Sequence, residues 1–255
     1  MSEKTPTVVL IHGAFADSSS WNDVISELKG RGIEAIAVSN ELRGPALDGS
    51  RVAALVREID GPVVLVGHSY GGAVITAAAN DADNVSGLVF VAAFAPEEGE
   101  SLQDLLGSFP ANDFASGLVP HALPTGDGGE EVWLSIALDK FPALFAADVP
   151  QAELMGRTQR PIAAAAFEEK SGAASWKRLP VHTLVATGDL AIHPEGQRTM
   201  AARANATTIE VDGSHAISVS QPKAVAAFIA SAVEHSIATA VEHSIASAVE
   251  AGANR

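Results

Sequence analysis

Apolar residues fall in two rhythms along this chain. Unbroken runs rich in β-branched and aliphatic residues occupy 7–12 (TVVLIH), 32–39 (GIEAIAVS), 62–67 (PVVLVG), 86–93 (SGLVFVAA), 181–187 (VHTLVAT) and 206–211 (ATTIEV). Stretches with helical spacing lie between them, near 20–30, 49–59, 70–80 and 194–204, the last with Pro194 where a first-turn proline is tolerated. Strands that are apolar on both faces and alternate with helices predict an α/β fold, a six-stranded, mostly parallel sheet with helices packed on both sides.

The alternation stops between residues 96 and 175, where glycine, proline and scattered aromatics accompany no convincing strand run. Three segments there, EEVWLSIAL, FPALFAADV and RPIAAAAF, read as short amphipathic helices. The expected organisation is a core of residues 1–95 and 176–230, a helical lid inserted at 96–175, and a C-terminal helical extension at 231–255. The extension belongs to a tandem octapeptide, FIASAVEH, SIATAVEH and SIASAVEA, at 228–235, 236–243 and 244–251. Its Ile and Val positions recur every four residues, so the apolar stripe winds around a helix by about 40° per step. A helix over 222–250 would be about 40 Å long. Its second half is a candidate surface for a homodimer.

Composition narrows the partners. A net charge of −15 repels nucleic acid and anionic lipid, and no uninterrupted apolar stretch suits a membrane span. The absence of cysteine rules out disulfides, thiolate metal sites and a cysteine nucleophile. MSEKTPT leads directly into the first apolar run without a recognisable export signal, so a cytoplasmic location is expected.

The candidate chemistry centres on GHSYG at 67–71, a G-x-S-x-G pattern lying between a strand and a helical run. On such a turn Ser69 is held in a strained conformation, and Gly67 and Gly71 let the two arms close. The backbone N–H of Tyr70 is one candidate oxyanion donor. That of Ala14, in HGAFADSSSW after the first strand, is the other. A serine needs a base oriented by a third group. His215, in VDGSHAIS after the last strand, and Asp189, which ends VHTLVATGD, fill those posts in the order Ser, Asp, His. His193 is a rival base; Asp212, Glu97 and Glu98 are rival acids. Phe15, His68, His193 and Trp133 are candidate pocket residues.

VVLIHGAFADSSSW, GPVVLVGHSYGGAVI, GLVFVAAFAPEEGES, the Asp189 turn and VDGSHAISVSQP together resemble the α/β-hydrolase superfamily over residues 7 to about 230. Within it the chain is similar to the small-lid group of plant methylester esterases, hydroxynitrile lyases and bacterial esterase-like proteins. The resemblance implies a serine esterase; the aromatics and aliphatics of 96–175 suggest a small to medium apolar ester or lactone as substrate, and acyl transfer on such a triad requires no cofactor or metal. Gly13 and Ala216 stand where the lyases carry threonine and lysine, which disfavours cyanide elimination. Leu190 follows the candidate acid where bacterial relatives often have arginine. A perhydrolase or lyase on the same triad, and a ligand-binding protein on a hydrolase scaffold, are the alternatives.

Overall fold

The computed structural model describes residues 4–110 and 112–253, apart from the side chains of 240 and 243–253. In chain order the first half contains β1 (Thr7–Ile11), α1 (Asn22–Gly30), β2 (Ala35–Val38), α2 (Pro45–Arg57), β3 (Val63–His68), α3 (Gly71–Ala78) and β4 (Val85–Val91). The excursion that follows holds α4 (Leu102–Ser108), β5 (Leu118–Pro124), β6 (Glu130–Ile136), α5 (Phe141–Phe145), α6 (Ala152–Thr158), β7 (Ile162–Ala163) and α7 (Ala165–Glu168). The chain closes with β8 (Val181–Ala186), α8 (Pro194–Arg203), β9 (Thr207–Val211), α9 (Ile217–Ser220) and α10 (Pro222–Ala253).

All six expected core strands form, and every pairing among them is parallel, in the order β2-β1-β3-β4-β8-β9. Pleating sends alternate residues to opposite faces. Val9, Ile11, Val63 and Leu65 pack on one side with α2 and α3, while Val8, Leu10, Val64 and Val66 pack on the other with α1 and α10. Burial on both faces explains why the central strands β1, β3, β4 and β8 read as continuous apolar runs. The chain steps from β1 outward to β2 and then returns to β3 on β1's other flank. That reversal opens a crevice at the carboxyl ends of β1 and β3, where α/β folds accommodate ligands.

The excursion differs in detail from its sequence reading. Short helices are present, but EEVWLSIAL is largely strand β6 rather than helix, paired antiparallel with β5 and with the two-residue β7. RPIAAAAF divides between β7 and α7, and α5 covers only the start of FPALFAADV. The hairpin between β5 and β6 turns at TGDGG, where Thr125 N–H donates to Gly129 O and Gly128 has φ +88°. Pro120 and Pro124 lie in β5, the edge strand, where a missing N–H is tolerated.

Helix α10 spans 32 residues, about 48 Å. Val225, Phe228, Ile229, Ala232, Val233 and Ser236 are buried against the core, whereas Val241 is 41% exposed, in keeping with a winding stripe. The third repeat's Ile245 and Val249, on which the dimer expectation depends, lie outside the described side chains. Among the described residues no helix is long and apolar enough to cross a membrane.

Candidate active site

Ser69 directly follows β3 and adopts φ +55°, a left-handed conformation that side chains rarely take. Its backbone is fixed on both sides. Ser69 N–H donates to Val91 O, while its carbonyl accepts from the N–H groups of Gly72 and Phe94. The turn is too tight for side chains at Gly67 and Gly71. A Cβ on Gly67 would lie 2.4 Å from Gly71 O, and one on Gly71 would lie 2.5 Å from Ile11 O.

Asp189 and His215 follow β8 and β9. Because the sheet is parallel, they emerge on the same edge as Ser69. His215 Nδ1 donates to Asp189 Oδ2 over 2.7 Å, with both residues buried. The second bond to Oδ2 comes from Gln197 Nε2 at 2.8 Å, and Oδ1 accepts from Ala191 N–H (2.7 Å) and Ile192 N–H (2.9 Å). These four donors hold the Asp189 carboxylate in place.

The His215 loop is tied to the elbow and to the excursion. His68 Nε2 donates to His215 O over 2.8 Å, and the two rings lie 4.7 Å apart. A carbonyl can only accept, so His68 carries its proton on Nε2; burial, reinforced by His215, holds its pKa well below the ordinary histidine range. Ala216 N–H donates to Phe145 O, Phe145 stands edge-on to the His215 ring at 4.9 Å, and Asp148 accepts from Ser214 N–H and from its hydroxyl. Among the described residues the Ser69 hydroxyl makes no hydrogen bond, to His215 or to another group. Such bonds are often loose until substrate binds.

Two main-chain donors border the serine. Ala14 and Tyr70 are buried, and among the described residues neither N–H has a protein acceptor. Buried unpaired donors are uncommon, and each calls for an explanation. Gly13 makes the approach feasible, since a Cβ there would come within 2.6 Å of Ser69 Cβ. The Tyr70 hydroxyl donates to Asp48 Oδ2 at 2.7 Å and accepts from Gly44 N–H at 3.1 Å. Asp48 also receives N–H bonds from Glu41, Leu42 and Arg43, while burial raises its pKa.

The candidate pocket residues separate. His193 helps to line an apolar cavity of about 440 Å³ under the excursion, together with Leu106, Phe109, Phe114, Leu134 and Phe167. Phe15 packs against Phe114 and Phe145, at ring distances of 6.1 and 6.4 Å. Trp133 points elsewhere, under the Arg43 guanidinium, and its strand neighbour Leu134 lines the cavity instead. His68 is enclosed within the elbow. Of the rival acids, Asp212 accepts, among the described residues, only a 3.4 Å contact from Thr187, and Glu97 is paired with Lys177. Gln197, Asp48 and Asp148 escaped the sequence reading because nothing in their spacing signals the partners that the folded loops bring to them. Among the described residues no three His, Asp or Glu side chains are grouped to hold a metal ion.

A carbendazim hydrolyzing esterase of Nocardioides sp. (strain SG-4G) is 35% identical over 111 residues, 38% of this chain and 46% of that protein, so the likeness spans about half the curated relative. Among solved structures, polyneuridine aldehyde esterase superposes with a TM-score of 0.76 at 18% identity, covering 88% of this chain and 97% of its own. An extracellular alpha/beta-hydrolase from a Paenibacillus species gives a TM-score of 0.71 at 25% identity, with 89% and 98% covered. The sequence profile of the alpha/beta hydrolase family matches residues 8–228. With this match over most of its length and a sheet of six parallel strands whose order reverses beside the GHSYG turn, this chain belongs to the alpha/beta hydrolase family.

Proposed function

We propose that the protein is a carboxylic ester hydrolase in which Ser69 is the nucleophile, His215 the general base and Asp189 the group that orients it. The observation that carries this reading is the pair of unsatisfied, buried N–H groups of Ala14 and Tyr70 beside a serine in a left-handed conformation, next to a histidine whose Nδ1 is engaged by a carboxylate. With Nδ1–H donated to Asp189, the Nε2 lone pair is free to take a proton.

Ser69 Oγ attacks the ester carbonyl as its proton passes to His215 Nε2, and the two N–H groups receive the oxyanion. Collapse breaks the bond to the alcohol, which leaves with the proton from His215. Water, deprotonated by the same histidine, then attacks the acyl-enzyme and returns the serine. All groups come from the chain itself, so the scheme calls for no cofactor.

The cavity at His193 does not include Ser69 in its wall, but its Phe114 packs against Phe15, the neighbour of Ala14, and we assign it the apolar portion of the substrate. Its aromatic and aliphatic walls favour an uncharged acyl or alcohol group, and about 440 Å³ falls within the range of small-molecule pockets. The matched esterase of Nocardioides is consistent with such a substrate class.

A fluorophosphonate probe and a series of p-nitrophenyl esters of increasing chain length test the assignment. The wild type is expected to label at Ser69 and to hydrolyse the esters, while Ser69→Ala should lose label and about 10⁶-fold in turnover. A folded Ser69→Ala protein that retains activity would remove the proposal, and a wild type inert to probe and esters would point to a ligand-binding role.

A further inference from the structure

The hole donor at Ala14 is aimed by a chain of contacts that ends on the excursion. His12 Nδ1 lies 2.8 Å from the carbonyl oxygen of Gly13. That oxygen can only accept, so His12 carries a proton on Nδ1. In a trans peptide the C=O and N–H point in opposite directions. Drawing the Gly13 carbonyl back toward His12 therefore turns the Ala14 N–H away from His12. Gly13 itself lies against Ser69 Cβ, so the peptide whose orientation His12 sets adjoins the serine. A flip of the peptide would put a carbonyl where that N–H now points.

His12 is locked in turn by Asn40 and Arg160. Its Nε2 accepts from Asn40 N–H at 3.2 Å, and its backbone oxygen accepts from Asn40 Nδ2 at 2.9 Å. Arg160 Nη1 donates to Asn40 O at 2.8 Å and stands 3.4 Å from His12 Nε2. Two donors facing Nε2 agree with a lone pair there and oppose a proton. Arg160 lies between α6 and β7, bracketed by firm anchors: Gln159 bonds both main-chain groups of Ile136, and Ala163 N–H donates to Leu42 O. The guanidinium is part-buried and, among the described residues, has no carboxylate within ion-pair distance.

We propose that Arg160 is a positioning residue through which the excursion holds His12 in its Nδ1–H form and thereby keeps the Ala14 N–H turned toward Ser69. This rests on the hydrolase reading above. Burial, and after it the Arg160 charge, lowers the His12 pKa, while the bond to the Gly13 carbonyl and the charges of Asp17 and Asp48 oppose that shift.

Paired carbonyl and thionocarbonyl esters supply the test, because sulfur accepts hydrogen bonds weakly and gains little from an oxyanion hole. Deleting a hole donor outright costs about 10²- to 10³-fold in kcat, so Arg160→Ala, which disturbs one donor, should cost about 10-fold on the oxygen ester. KM should stay nearly constant, the thionoester rate should fall far less, and Arg160→Lys should restore part of the loss. An unchanged oxygen-to-sulfur rate ratio in Arg160→Ala would overturn the proposal, whatever happens to stability, since a looser fold slows both substrates alike.

A second readout is independent of catalysis. In protein carrying ¹⁵N-labelled histidine, with His12 assigned through His12→Gln, the wild type should show the Nδ1–H tautomer and Arg160→Ala a shifted mixture. Identical His12 spectra in the two proteins would sink the inference. Failure of the wild type on every ester would remove the proposed function, and these spectra would still decide the role of Arg160.

Discussion

Asp189→Asn replaces one oxygen with an NH₂ group at a position surrounded by four donors, and its consequence can be followed atom by atom. The two oxygens accept from Ala191 and Ile192 N–H on one side and from Gln197 Nε2 and His215 Nδ1 on the other. The two main-chain donors cannot turn, so the asparagine oxygen faces them and its NH₂ faces Gln197 and His215. Gln197 cannot flip either without losing the bond from Ala186 N–H to Oε1 and that from Nε2 to Ile192 O. Only His215 can respond. It can move its proton to Nε2 and accept on Nδ1, which leaves the nitrogen needed to deprotonate Ser69 already protonated. A wrong tautomer of this kind costs a triad about 10⁴-fold in kcat, near 5.5 kcal/mol of barrier. The opposed Gln197 amide adds about 1–3 kcal/mol of destabilisation. Steady-state hydrolysis of p-nitrophenyl acetate, with thermal unfolding as a check on folding, reads both quantities. A folded Asp189→Asn enzyme with more than a tenth of wild-type kcat would show that the Asp189–His215 bond does not govern the base.

Two further expectations rest on other contacts. Gly13→Ala places a methyl group 2.6 Å from Ser69 Cβ and 3.1 Å from His68 Nδ1, so the first-strand loop must retreat; ester hydrolysis should fall at least about 100-fold, the cost of a lost hole donor, and normal turnover would contradict the close approach. His182, buried against Phe228 and His235, has its pKa pushed down to about 4 by burial and then by His235. Below its unfolded pKa of about 6.5 the unfolded chain binds a proton that the folded chain refuses, so this contribution is intact above that pH and is lost as pH falls from about 6.5 through about 4, by at most about 3 kcal/mol. Thermal unfolding at pH 7 and pH 4.5 should therefore show a smaller acid-induced drop in Tm for His182→Asn than for wild type, and equal drops would refute it.

The core was legible because its central strands β1, β3, β4 and β8 are buried on both faces and its turns carry the glycines they require. Parallel topology then decides which ends of the strands share an edge, so the chain order Ser69, Asp189, His215 already implies a common side of the sheet. The excursion was less legible for local reasons. Pro120 and Pro124 mask an edge strand, while the alternation of Val132, Leu134 and Ile136 after an Asp-Gly turn is a hairpin signal. Contacts such as Arg160 to Asn40, 120 residues apart, or Gln197 to Asp189 across a folded loop, depend on how the backbone brings side chains together, and no periodicity encodes them. His68 shows the same limit: its position within GHSYG suggests a pocket wall, but its ring fastens the main chain of His215.

The excursion leaves the sheet after β4 and rejoins it at β8, and these two strands are direct neighbours. Insertions at such a seam can vary in sequence and length without disturbing the ladder beneath. This one is nevertheless stitched to the core by Phe145 O, Asp148 and Arg160. A transplanted roof would inherit the platform for free, but would have to reproduce attachments such as these before any new selectivity could be expressed.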